Sequence, residues 1–148
     1  MLTVWVFIHL MGVLGFLAAH GTSTAVALRL RAVRDRDQVR ALLDLSRSTR
    51  PVNDVSLLLL LVGGIAAAVQ GHLWTQAWLD VSLGLFVGLA ALGVPILVRH
   101  FRRVRVALGS GDDAALETLL RSNVPAAFAV VGGLLILFIL WLMVAKPF

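Results

Sequence analysis

Leu2 to Leu28 reads LTVWVFIHLMGVLGFLAAHGTSTAVAL, an apolar run without a single Asp, Glu, Lys or Arg. In lipid such a run has one stable form, a helix whose backbone groups are all bonded within the segment. At ~1.5 Å per residue it makes a rod of about 40 Å, longer than the ~30 Å hydrocarbon layer. The helix must therefore tilt or protrude. Trp5 and Phe7 suit one interface, and Arg29 and Arg31 end the span at the other.

Outward from this stretch the same pattern recurs. With the first span at about 3–28, further apolar spans read at about 52–69, 78–98 and 125–144. The 148-residue chain is 59% hydrophobic and 14% charged, with a mean hydropathy of +0.94. A soluble domain carries about 25% charge. The reading is one all-α membrane domain over residues 1–148, a polytopic four-helix bundle. There is no cysteine, so disulfides and thiolate metal sites are excluded.

The segments 29–51 and 99–124 separate the spans and hold all the arginines. The first keeps helical spacing: Leu30, Val33, Val39, Leu42, Leu43 and Leu45 alternate with Arg34, Arg36, Arg40 and Arg47. It reads as an extension of the first helix or a surface helix, ending before Pro51. Asn53 or Asp54 is expected to cap the second span. Arg99 to Arg105 are expected to stop the third span, with Pro95 kinking it. Ser110-Gly111-Asp112-Asp113 is a turn and helix start, leading into a short amphipathic piece from Ala114 to Arg121. The segment from Gln70 to Ala77 has no Lys or Arg, but His72, Trp74 and Trp78 lie in or beside it. Positive charge collects on the cytoplasmic side, so both termini are expected outside a bacterial inner membrane.

An internal repeat fits this topology. Ala41–Pro51 (ALLDLSRSTRP) and Ala115–Pro125 (ALETLLRSNVP) match at Ala, Leu, Leu, Arg, Ser and Pro with a constant offset of 74. Two spans per half make the repeat parallel, with its axis along the membrane normal. The histidines break it: His9 falls on Leu83 and His20 on Val94.

Chemistry, if present, starts from those histidines. Polar side chains inside a span are costly and mark functional sites by default. His9 and His20, eleven residues apart, lie about 20° apart around the helix and roughly 16 Å apart along it. His20 reads as mid-membrane, facing some of Gly63, Gly64, Gly84, Gly88, Gly132 and Gly133. Such glycines admit either close helix packing or a flat ligand such as haem. The plain alternative for His20 is a hydrogen bond to Ser23, Thr24 or a carbonyl. His9 reads as near the outer interface, level with His72 and Asp80. His9 and His72 could ligate one metal or a haem from its two faces, and His9, His72 and Asp80 could hold copper or zinc. The plain alternative is interfacial polar residues with their rings in the headgroups. No span carries paired carboxylates or a lysine, and no phosphate loop, nucleophile elbow or HExxH occurs. The basic segments lack any nucleic-acid-binding signature.

FIHLMG (Phe7–Gly12), RSTRP (Arg47–Pro51), Gly63-Gly64 and WLDVSL (Trp78–Leu83) resemble a bacterial group of small membrane proteins. The group comprises uncharacterised four-helix families, the copper-resistance D type and the haem-containing membrane protoporphyrinogen oxidase. The resemblance covers about residues 5 to 105. In the oxidase branch the histidine after an aromatic in the first helix is a haem-ligand position, which implies that role for His9. The Arg ahead of the second helix falls on Arg47. The lysine expected after the Trp-Leu pair falls on Ser82, which cannot supply its charge, so the uncharacterised branch is the nearer one.

The leading expectation is a four-helix inner-membrane protein, homodimeric, binding haem b through His9 or His20 for electron transfer or haem handling. The alternatives are a non-catalytic accessory subunit of a larger membrane complex, and outer-face copper or zinc handling.

Overall fold

The computed structural model describes residues 1–147. Six helices account for nearly all of them: α1 (Leu2–Ala32), α2 (Arg36–Ser48), α3 (Arg50–Gln70), α4 (Ala77–Ser110), α5 (Asp113–Leu120) and α6 (Val124–Ala145). A single 3-10 turn, Leu73–Thr75, joins α3 to α4. Four helical stretches are long and apolar enough to cross a membrane.

The elements repeat as the 74-residue offset requires. Long helix, short helix and span recur as α1–α2–α3 and α4–α5–α6, and the offset carries Arg50 onto Val124, the first residue of α6. Each long helix packs chiefly on the span of its own half, α1 on α3 and α4 on α6, and α1 also touches α6. Gly63 of α3 lies against His9 of α1, while Lys146 beyond α6 stands over the Trp78 ring of α4. The spans thus alternate in direction, with both termini at one end and the arginine-bearing connections at the other.

Charge did not end the helices where the sequence suggested. α4 runs through Pro95 and past Arg99–Arg105 to Ser110, and stops only where Gly111 takes the left-handed conformation at φ 77°. Arginine is a good helix former, and membrane exit need not unwind a backbone that is already bonded within itself. At 31 and 34 residues, α1 and α4 would span about 46 and 51 Å. They overshoot a ~30 Å hydrocarbon layer. Around the overhang sits the main apolar core: Val26 and Leu30 of α1, Val39 and Leu43 of α2, Val104, Ala107 and Leu108 of α4, and Leu116 and Leu120 of α5. The basic connections are therefore a packed cap rather than loops.

Local caps explain the cap's two helices. Asp35 accepts from the Asp37 amide at 3.2 Å to start α2, and Asp112 accepts from the Ala115 amide at 2.9 Å to start α5. α2 is separate from α1, broken at residues 33–35. Arg36 donates from Nε to Asp113 at 3.1 Å and also from Nη2, tying the start of α2 to the start of α5 across the two halves. Neither Asn53 nor Asp54 caps α3. The helix begins earlier, at Arg50, with Thr49 in the cap position, its hydroxyl donating back to the Ser46 carbonyl at 3.1 Å instead of capping α3, and Pro51 in the first turn. Proline supplies a preset φ there and loses no needed donor.

Candidate functional site

The two halves share a pattern but not a packing distance. A Cβ built on Gly12 would fall 2.6 Å from the Leu60 Cα and 2.8 Å from the Ser56 carbonyl oxygen. One on Gly63 would fall 2.9 Å from the His9 Cα and 3.0 Å from the Trp5 carbonyl oxygen. On Gly15 it would strike the Ser56 hydroxyl. Helices α1 and α3 are therefore in backbone contact, the close approach that small residues allow in membranes. At the offset of 74 the equivalents of Gly12, Gly15, Gly63 and Gly64 are Phe86, Leu89, Leu137 and Phe138. Bulk replaces absence, so the second half cannot close in the same way.

His9 lies inside the tight half. Gly64 provides the room, since a Cβ there would stand 2.8 Å from the imidazole Nδ1. Nδ1 is 2.8 Å from the Leu60 carbonyl oxygen. A carbonyl can only accept, so Nδ1 carries the proton and donates it. In the neutral ring that leaves Nε2 with a free lone pair. This is the arrangement by which metal-bound histidines are oriented, one nitrogen donating to a fixed acceptor and the other coordinating.

His9 also lines a cavity of about 340 Å³ between all four spans at the terminal end of the bundle, partly open at its sides, where Leu10 and Ile65 are exposed. The volume falls at the lower end of the ~300–1,000 Å³ typical of small-molecule sites. Its walls include Val13 and Phe16 of α1, Ile65 of α3, Phe86 of α4 and Ile136 of α6. Against this apolar lining stands Ser82 of α4, 1% exposed, whose Oγ has no hydrogen-bond partner. Trp78, 5% exposed, completes the wall, with the Lys146 Nζ 5.9 Å from its ring centroid. An apolar cavity lined by one imidazole and one orphan hydroxyl is suited to an apolar molecule with a metal centre or a single polar group.

His20 has different surroundings. Its ring stacks on Phe16 with centroids 6.3 Å apart, and Phe16 meets Phe86 at 5.9 Å. Its Cε1 would lie 3.3 Å from a Cβ on Gly132, and its Nε2 is buried without a partner. The hydrogen bond expected to Ser23, Thr24 or a carbonyl is not formed. His20 is absent from the cavity lining, from which Phe16 separates it. Of the glycines expected around His20, only Gly132 is there. Gly63 and Gly64 serve His9, and Gly84, Gly88 and Gly133 would meet nothing within 4 Å.

The other expected site residues are dispersed. His72 is exposed in a left-handed turn at φ 52°, and Asp80 is exposed near the start of α4. Among the described residues no three His, Cys, Asp or Glu side chains come together as a metal site, so His9, His72 and Asp80 do not form one. Arg47 is exposed in the last turn of α2, at the arginine end. Some thirteen helical residues separate it from Leu60, a distance of about 20 Å.

Ser82 and the Leu60 carbonyl were missed by the sequence reading. A carbonyl has no sequence signature. The tight interface did have one: Gly12, Gly15 and Ala19 on α1, and Ser56, Gly63 and Ala67 on α3, are small residues at helical spacing.

Four apolar spans around an internal cavity, capped at one end by the arginine-bearing connections, define a multi-pass integral membrane protein. The family model described as "Predicted integral membrane protein (DUF2269)" matches residues 3–147, and the chain belongs to that family. No curated protein and no solved structure matches the chain. The likeness to copper-resistance D-type proteins and to the oxidase rests on the short motifs alone.

Proposed function

We propose that the protein binds b-type haem at the cavity between its spans, where His9 Nε2 would hold the iron, and serves electron transfer or haem handling. The observation that carries this is the His9–Leu60 hydrogen bond, which leaves Nε2 as the ring's free nitrogen on a residue that lines the apolar cavity. The Ser82 hydroxyl supplies a second polar atom for the bound molecule. Lys146, which stands apart from the arginines at the terminal end, is the cation available to a haem propionate at that level. His20 and Arg47 take no part in this site. The arginine bias supports an orientation with the cavity in the outer half of a bacterial inner membrane and both termini outside.

The test is the visible spectrum of protein purified in mild detergent after expression with added haem. A Soret band is expected from the wild type and from His20→Ala, and its loss from His9→Ala. Absence of the band from the wild type would remove the haem reading and favour an accessory subunit of a larger complex.

A further inference from the structure

At the opposite end of the bundle a second cavity, of about 350 Å³, is lined by Leu28, Arg31, Ala32, Arg34 and Arg121. Its cations come from both halves: Arg31 and Arg34 from the end of α1, Arg121 from the residue after α5. Each lies within a few residues of an apolar span in the sequence, as residues at headgroup depth would. Their charges are unequally used. Arg121 donates to Glu117 at 2.6 Å. Arg34 is held by the carbonyls of Arg31 and Val33, at 2.8 and 2.9 Å, which satisfies the end of α1 but leaves its charge unpaired. The Arg31 guanidinium has no hydrogen bond or ion pair among the described residues. Two of three positive charges are thus uncompensated, in a shallow, open site that also includes Leu28 and Ala32.

Loop placement under the positive-inside rule calls for arginines near the ends of spans. It does not call for three of them, drawn from segments some ninety residues apart, to converge on one cavity. We infer that this cavity is a binding site for the phosphodiester headgroup of an anionic phospholipid. Guanidinium groups form paired hydrogen bonds to phosphate oxygens, and Leu28 and Ala32 offer apolar surface to the glycerol and upper acyl chain. Because Arg31 and Arg34 belong to the first half and Arg121 to the second, the lipid would add a tie between the two halves to the Arg36–Asp113 pair.

The full-length protein is purified in mild detergent and offered equimolar dioleoyl-phosphatidylglycerol and dioleoyl-phosphatidylcholine, and the retained lipid is read by native mass spectrometry. Retention of phosphatidylglycerol is expected in excess. Arg31→Gln combined with Arg121→Gln should lower that preference by roughly tenfold, leaving the Arg34 contacts to the end of α1 intact. Arg47→Gln combined with Arg50→Gln, exposed cations at the same end but outside the cavity, should leave it unchanged. Circular dichroism confirms that each variant is folded, and the single Arg31→Gln variant serves if the double variant is not. No preference in the wild type, or an equal loss in the Arg47/Arg50 control, overturns the inference. Displacement of the lipid by millimolar inorganic phosphate identifies a free-phosphate site and overturns the lipid assignment. The outcome is independent of whether haem binds at the far end.

Discussion

Substituting Gly12 by Ala tests the packing on which the His9 site rests. A new Cβ would begin 2.6 Å from the Leu60 Cα and 2.8 Å from the Ser56 carbonyl oxygen, both backbone atoms that cannot rotate away. Relief to an ordinary contact of about 3.5–4.0 Å requires α1 and α3 to part by roughly 1 Å. The His9–Leu60 bond spans the same interface at 2.8 Å, and the same displacement would stretch it beyond hydrogen-bonding range. Overpacking costs about 1–3 kcal/mol, and a lost interhelical hydrogen bond in a membrane about 0.6–2 kcal/mol. The better helix propensity of alanine offsets about 1 kcal/mol. The net expectation is destabilisation by about 1–4 kcal/mol. The measurement is equilibrium unfolding in mixed SDS and mild-detergent micelles, followed by tryptophan fluorescence. Gly21→Ala is the control, since a Cβ there meets nothing within 4 Å and only the propensity gain applies. If Gly12→Ala is as stable as Gly21→Ala, the two helices are not in backbone contact and the account of the site fails.

Other perturbations separate the parts of the structure. Gly64→Ala places a Cβ 2.8 Å from the His9 Nδ1, a side-chain clash that the imidazole can escape by turning. It should abolish haem absorbance while costing less stability than Gly12→Ala, and equal losses of both would contradict this. Ser82→Ala removes a buried hydroxyl without a partner. It should leave the ligand-free protein as stable or up to about 1–2 kcal/mol more stable in the same unfolding assay, and a marked loss would mean that the hydroxyl is bonded. Leu43, 2% exposed in the cap, should cost about 2–5 kcal/mol when replaced by Ala. A negligible change there would show that α2 does not pack on the overhang of α1 and α4.

The spans, their alternating direction and the division into two halves were legible in the chain because each depends on local chemistry. An apolar run long enough to cross lipid leaves the backbone no choice but helix, and Asp35, Asp112 and Gly111 mark helix ends through bonds and dihedrals a few residues away. Even so, helix ends and membrane ends are separate events, and arginines that mark the second did not mark the first. The site was another matter. Helical periodicity puts His9 and His20 on nearly the same face, yet one bonds to α3 and the other stacks on Phe16 against α6. Gly63 and Gly64 are indistinguishable from Gly84 and Gly88 as letters, and only the first pair meets a neighbour. His72 was expected level with His9 but lies beyond the end of α3, which is itself six helical residues past the Gly64 that meets His9, and both it and Asp80 are exposed. Which faces meet is decided by packing between segments far apart in the chain. Glycine at four positions lets α1 and α3 close, and Phe86, Leu89, Leu137 and Phe138 at the equivalent positions hold the other half open. That asymmetry, invisible until the helices are docked, is what positions His9 beside a cavity.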